Sequence, residues 1–465
     1  MLVVGGRVPS HRWMSVTVLS LILVPIYVQA TAWSAGFGVQ GWFRLSQVSA
    51  AISPAKAIAS VVWIHSMAAT PVCFLLCAIG LKRSFDSNSR QALLDYGPGV
   101  AIVYIVIPNL WPWIAACAIW SVAMTGNDMV VTNLFQVPTM TETVYQQVQF
   151  NDLNMQLIWL SCSFAVFIGL LVLALVWLLH SRLGHESTQH TSPSVYQAFE
   201  LQGVVRWLGM MLGWTIVSMV ALIPIANLIV KAGWVATMDN DEIRRSWSPL
   251  VLLESIVQSK TFANEIGWSL QLSLYASSLA FVLGVLLVGC ARSRWSSRIA
   301  IGMMAFLMAL PGPIVNLIVI SIFDRREPQW IGLLADRTLC APILALQSRC
   351  LPIVFGVLWL AKERFKKNNA GLLQMDKGLP YTTRIWILTQ ALRQPIAVAL
   401  VIAFSVSFAD LSSYLLVQPP QVTTVAMRMF DLLHYGIKNR ESGLALTLVI
   451  AAAVPTWWLL RRIDL

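Results

Sequence analysis

Few residues in this chain have side chains that could do chemistry, and those that do stand among apolar neighbours. Asp410 ends the run AFSVSFA, and Asp128 ends a second apolar stretch. A carboxylate at membrane depth must be paired or must face water, which makes it a functional-site candidate by default. The competing reading is a structural acid, bonded to helix backbone or to Ser412 and Ser413. His65 and Asn316 are further polar groups inside apolar runs, each either lining a path or making a satisfied buried contact. Pro311 and Pro313 withdraw backbone donors from a helix, so the carbonyls they free must be met by protein or by water. Other chemistries are not written here. No G-x-x-x-x-G-K-[ST] loop occurs, so the chain is not expected to hydrolyse ATP itself. There is no catalytic triad and no metal-ligand set, and no cofactor is expected. Cys73 and Cys77 share a helix face without a His or carboxylate to complete a site, and the seven cysteines read as small packing residues.

The elements that position these groups follow from composition. The 465 residues are 57% hydrophobic and 11% charged, with mean hydropathy +0.70; a soluble protein carries about 25% charged residues. The expected class is an all-α polytopic membrane protein, each span needing about 20 apolar residues. The runs are Val16–Trp33, Ala57–Leu81, Val100–Met124, Gln156–His180, Val204–Ala232, Leu270–Ala291, Ile299–Phe323, Ala341–Leu360, Ile396–Val417 and Leu444–Leu460, ten in all. The first is too long for a signal peptide and lacks its cleavage site, so it is expected to be retained. An even number puts both termini on one side. Arg7, Arg12, Arg461 and Arg462 make that side the cytoplasm of a cell inner membrane. The Met124–Met155 loop holds Asp128, Glu142 and Asp152 without Lys or Arg and belongs outside, whereas the three arginines of Arg292–Arg298 belong inside. The net charge of +11 fits such cytoplasmic loops; no basic stripe suggests nucleic acid.

The most basic segment, Ala361–Leu400, carries Lys362, Arg364, Lys366, Lys367, Lys377, Arg384 and Arg393. Within it, Leu372–Gln390 reads as an amphipathic helix broken at Gly378. That is either a docking helix for a cytoplasmic partner or a charged topology anchor.

The chain also repeats itself. Gly97 precedes Asp128 by 31 residues and Gly378 precedes Asp410 by 32. From the two aspartates, DMVVTNLFQVPTMT and DLSSYLLVQPPQVT keep step, with Gln136 matching Gln418, Pro138 matching Pro420 and Thr141 matching Thr423. Both copies run the same way through the membrane, which argues against inverted-repeat carriers.

At this point the residues resemble a known family. Gly378 stands at the glycine of the coupling loop of binding-protein-dependent ABC transporter permeases. Leu372, Leu373 and Gln374 occupy the place of its Glu-Ala-Ala. Leu388, Gln390 and Ala391 fall where Ile, Leu and Pro would be, and Pro395 matches the second proline. A first copy reads Arg90, Gln91, Ala92, Leu93, Leu94, Asp95, Tyr96, Gly97, with Pro108 and Pro112 following. Val62 to His65 with Pro71, and Leu310 to Pro313, resemble further family spans. Tyr414 to Leu448 resembles the last outer loop and span of permeases for iron(III) and thiamine.

The resemblance implies two fused permease halves of MetI-like fold. They are an N-terminal half over 1–182 with about four spans, a polar linker over 183–203 and a C-terminal half over 204–465 with about six. It implies an ATP-driven importer. Two copies of a cytoplasmic ATPase would grip the two coupling loops, and a periplasmic or lipid-anchored binding protein would deliver the solute: iron(III), next thiamine, then another small ion or polyamine. Asp410, Asp128, Pro311, Pro313, Asn316 and His65 would line the translocation path. Two other readings stand beside it. One is an ion-gradient-driven carrier or channel using Asp410; the other is a non-transporting membrane scaffold with decayed coupling loops.

Overall fold

A computed structural model describes residues 10–38, 41–43, 53–84, 95, 102–150, 155–183, 203–239, 242–291, 293–323, 329–368, 381–435 and 439–461. The first half comprises α1 (His11–Ser20, extended by a 3-10 turn Leu21–Leu23), α2 (Ile26–Phe37), α3 (Pro54–Ser84), α4 (Ile107–Asn127), the short α5 (Val130–Leu134), α6 (Met140–Gln149) and α7 (Met155–Leu183). The second half begins with α8 (Gly203–Val217) and α9 (Ile223–Ala232), then a hairpin of β1 (Trp234–Asp239) and β2 (Glu242–Trp247), then α10 (Pro249–Gln258) and α11 (Ala263–Cys290). It continues with α12 (Arg294–Ala309), α13 (Gly312–Phe323), α14 (Gln329–Arg337), α15 (Cys340–Asn368), α16 (Tyr381–Ala409), α17 (Val425–His434) and α18 (Asn439–Arg461).

The fold is helical because a chain in hydrocarbon must satisfy its own backbone. The helical expectation holds, with one short hairpin in the loop from Gly233 onward. The count of ten plain spans is corrected. Among the described residues six helical stretches are long and apolar enough to cross a membrane, or up to eight if each of two bent pairs is one span. The bent pairs are α1–α2, at 110°, and α12–α13, at 102°. Pro25 and Pro311 sit at the two bends, where each ring removes the donor that would have continued the helix. The expected runs Val16–Trp33 and Ile299–Phe323 are thus broken helices. The Gln156–His180 run forms the long α7, with an apolar helical part over Ile158–Ala174.

Two stretches of the chain show a similar order of elements. In each half a bent pair is followed by a span with an internal proline (Pro71 in α3, Pro352 in α15) and a second such span (Pro112 in α4, Pro395 in α16). An aspartate ends that second span. A ten-residue helix capped by a threonine follows, Thr139 for α6 and Thr424 for α17, each side chain accepting a backbone N–H of the first turn. A long helix, α7 or α18, completes the unit. Packing crosses between copies: α7 lies on α12 as α18 lies on α1, and α13 touches α6 as α2 touches α17. One apolar core therefore runs through both halves, with Tyr27 and Ile168 from the first and Leu272, Tyr414 and Leu444 from the second. α11 packs on α15 and α16 without a counterpart on α3 and α4. Its C-terminal carbonyls at Val288 and Ala291 accept from Lys362 Nζ at 2.6 and 3.0 Å. Outward-facing side chains such as Val62, Trp111, Leu274 and Val285 are apolar and exposed, as a lipid-facing surface requires.

Candidate functional site

The two aspartates are not inside their spans, as the sequence suggested for Asp410; each lies just past the end. Asp128 follows α4 and its own N–H still bonds Met124 O. Its carboxylate then accepts from the N–H groups of Val130 (3.3 Å) and Val131 (3.0 Å), so one side chain ends α4 and starts α5. Asp410 follows α16 in the same manner. Its Oδ1 accepts from Ser412 Oγ at 3.0 Å and Ser413 N at 3.4 Å.

Each acid faces a base from the preceding span. His65 Nε2 lies 3.2 Å from Asp128 Oδ2, and His65 Nδ1 lies 2.8 Å from Val61 O. Both ring nitrogens face acceptors, so the imidazolium form meets both. Arg349 Nε lies 3.7 Å from Asp410 Oδ2. His65 stands six residues before Pro71 and Arg349 three before Pro352, one helical turn apart in the two copies.

Arg349 holds more than the acid. Its Nε donates to Ser413 Oγ at 3.1 Å. Its guanidinium also donates to Met308 O and to Leu310 O (2.9 Å), carbonyls left open where α12 stops at Pro311. The terminal Nη2 reaches into the other half, to Asn127 Oδ1 at 2.9 Å. Asn127 in turn donates to Ala123 O (2.7 Å) and Met308 O (3.2 Å). One planar cation thus joins α15, the α12–α13 bend, the Asp410 turn and the end of α4. The fork of five donors suits this, where a lysine would bring three on a single point charge.

The α12–α13 bend rests directly on the Asp410 turn. Asn316 is fully buried and donates through Nδ2 to Ser412 O at 3.1 Å. A Cβ on Gly312 would lie 2.4 Å from the same carbonyl, so the approach there excludes any larger residue. Pro311, Asn316, Asp410 and Arg349 form one cluster with Asn127. His65 and Asp128 form a separate one. Pro313 lies in the first turn of α13, buried with it.

Two residues at the centre, Arg349 and Asn127, were not among the sequence candidates. Arg349 had a signal, a lone cation within the apolar run Ala341–Leu360. Asn127 had none beyond adjacency to Asp128. Of the coupling-loop residues, Leu372, Leu373, Gln374, Gly378, Gln91, Ala92 and Gly97 lie outside the described residues, as does the 184–202 part of the linker. Leu388 lies on α16, with Pro395 inside the same helix, and Pro108 lies at the start of α4.

No family model matches the chain. It is distantly similar to the putrescine transport system permease protein PotI of Escherichia coli (strain K12), 24% identical over 219 residues that cover 45% of this chain and 76% of that protein. The protein of the same name from Escherichia coli O6:H1 gives the same figures. With its several candidate spans, the chain is a helical membrane-type protein distantly similar to a transport system permease protein.

Proposed function

We propose that this chain is the membrane permease of an ATP-driven importer, two permease halves fused in one polypeptide. The duplicated unit carries the reading. It consists of a bent pair, two proline-containing spans, an acid-closed end, a Thr-capped helix and a final long helix, repeated in the same order in a chain that is similar to a permease. Two fused units would supply the two docking loops that a pair of ATPase subunits needs, around Gly97 and around Gly378. The outer loops would receive solute from a binding protein, and both termini would face the cytoplasm of the inner membrane.

For the solute, a small organic cation of the polyamine class is favoured over iron(III) or thiamine. The relative's name supplies one reason. The other is that the Met124–Met155 loop carries acids and no Lys or Arg. The ion-gradient carrier loses its main support, because Asp410 is already engaged by Arg349, Ser412 and Ser413. The test is uptake of labelled putrescine into right-side-out membrane vesicles, loaded inside with ATP, of cells carrying this chain with its chromosomal neighbours. Uptake should require ATP and persist when ion gradients are collapsed. Uptake that follows the gradient without ATP would overturn the reading.

A further inference from the structure

A second polar contact joins the halves away from Arg349, between α6 and α17. His434 Nε2, on α17, lies 2.7 Å from Asn133 Oδ1 at the end of α5. Asn133 Nδ2 donates to Glu142 Oε1 on α6 at 2.9 Å, and Gln146 Nε2 donates to the same oxygen at 3.2 Å. The other ring nitrogen of His434 lies 2.8 Å from Phe430 O. Glu142 is 5% exposed, and its second oxygen has no hydrogen-bond partner.

We propose that His434, Asn133 and Glu142 are positioning residues that hold the α6 and α17 sides of the seam together while they share one proton, and release it when that proton is lost. The argument is a count of donors and acceptors. With an imidazolium and a carboxylate, Asn133 accepts from His434 and donates to Glu142, and His434 also donates to Phe430 O. With a neutral imidazole and a protonated Glu142, Asn133 turned over donates to His434 and accepts from Glu142. Every contact is kept in both arrangements, and both hold one proton more than neutral His434 with ionised Glu142. In that deprotonated state the amide can serve only one end without breaking the His434 contact to Phe430 O.

Burial raises the Glu142 carboxyl, against the opposing pull of Asn133 and His434, and burial likewise raises Asp431, against Arg428 and His434. Folded carboxyls that hold their protons more tightly than the unfolded chain stabilise the seam at low pH and lose that stabilisation as pH rises. The other groups around the contact are Tyr145 on α6 and Arg428 on α17, whose guanidinium sits over Phe262. Of the elements packed on the two helices, α2, α4, α5 and α13 carry no ionisable acid or base apart from Tyr27 on α2 and the Cys117 thiol on α4. α11 brings Glu265, Tyr275 and, at its end, Cys290, and α7 carries His180 and Arg182 at its far end, together with Cys162.

The test reads the seam itself and needs neither solute nor ATPase, so it stands or falls separately from the transport reading. Phe150 and Tyr435 follow α6 and α17 and are 79% and 78% exposed. The full chain in lipid nanodiscs would carry spin-labelled noncanonical residues at these two positions, with distances measured at pH 5.5 and pH 8. A short, narrow distance is expected at pH 5.5, its population falling about tenfold at pH 8, the worth of one charge-assisted hydrogen bond. His434→Gln can still donate to Asn133 but removes the imidazole, and should leave a smaller difference between the two pH values, the part that Glu142 and Asp431 carry. Asn133→Leu should give the long, broad distribution at both. A wild-type distribution unchanged between the two pH values, or a pH response kept at full size by His434→Gln, would overturn the proposal.

Discussion

Arg349 and Asp410 should be worth much more together than either is alone. Their side chains are 9% and 13% exposed, so each neutralises the other in largely buried surroundings. Arg349→Gln leaves the Asp410 charge facing the α12–α13 bend without its cation and removes donors from Met308 O, Leu310 O and Asn127. Breaking a buried pair from one side costs about 3–5 kcal/mol, roughly two to three and a half powers of ten in folded population. Arg349→Lys restores the charge but not the fork, so it should recover part of that loss and leave Asn127 unheld. The cost of Asp410→Asn should be of the same order, because a guanidinium is then left uncompensated. The double variant Arg349→Gln with Asp410→Asn removes both charges and should be more stable than either single one. The assay is a double-mutant cycle on the detergent-solubilised full chain, following the monodisperse fraction against temperature or denaturant. A coupling below about 0.5 kcal/mol, with the single effects simply adding, would show that the 3.7 Å approach does not act as an ion pair.

Gly312→Ala places a methyl group against Ser412 O and should lower the thermal stability of the purified chain, whereas Gly332→Ala, with open space around it, should not. Asp128→Asn keeps one of the two acceptor oxygens that serve Val130 and Val131 and loses the charge facing His65, so it should weaken the fold less than Asp128→Ala; equal losses would show that the cap does not matter. Gly378→Val should abolish co-purification of an ATPase while the chain stays in the membrane at normal level. Neutralising Arg364, Lys366 and Lys367 should spare co-purification; the opposite pattern would reduce the basic loop to a topology anchor.

Which parts were legible depended on where the information sits. The apolar segments were legible because apolar length is a property of single segments, but they read as ten spans where six, or up to eight with the bent pairs, are found among the described residues. The repeat was legible because the two aspartates set one register over fourteen residues. The bends were half legible: Pro311 announced carbonyls in need of partners, but a proline alone does not distinguish a kink from a turn of 102°. The aspartates looked intramembrane because AFSVSFA is apolar, while the Ser412 and Ser413 that receive the chain after Asp410 look equally at home in a helix. The Asp410 carboxylate competes for their donors and stops the helix there. Arg349 and Asn127 were missed because they are 222 residues apart and belong to different halves. Nothing local to either states that one cation will close the seam.

The two copies also differ where it matters for motion. In the register of the aspartates, Asn127 corresponds to Ala409 and His65 to Gln347, so only one of the two seams can carry the Arg349 clasp. Gln347 instead donates to Ala276 O and Ile343 O, within its own half. At the opposite seam α1 meets α18 through the ring pair Trp13–Trp457 and one neutral bond, from Thr456 Oγ1 to Ser20 O at 3.0 Å. A seam without a buried charge can slide at smaller cost, since ring contacts replace one another and Thr456 also has carbonyls of its own helix to donate to. A seam closed by a buried arginine cannot, because each donor that leaves an acceptor must find a new one before the charge is exposed. If the halves move relative to each other, the Arg349 side is therefore the one with two distinct energies, and only such a difference can be biased by a partner bound elsewhere. Asn127→Ala, which copies the Ala409 side, tests this without touching either charge. It should leave the Arg349–Asp410 coupling intact in the double-mutant cycle while making the two seams equally loose to distance measurement. If the coupling fell with it, Asn127 would be part of the ion pair's support and the two functions could not be separated.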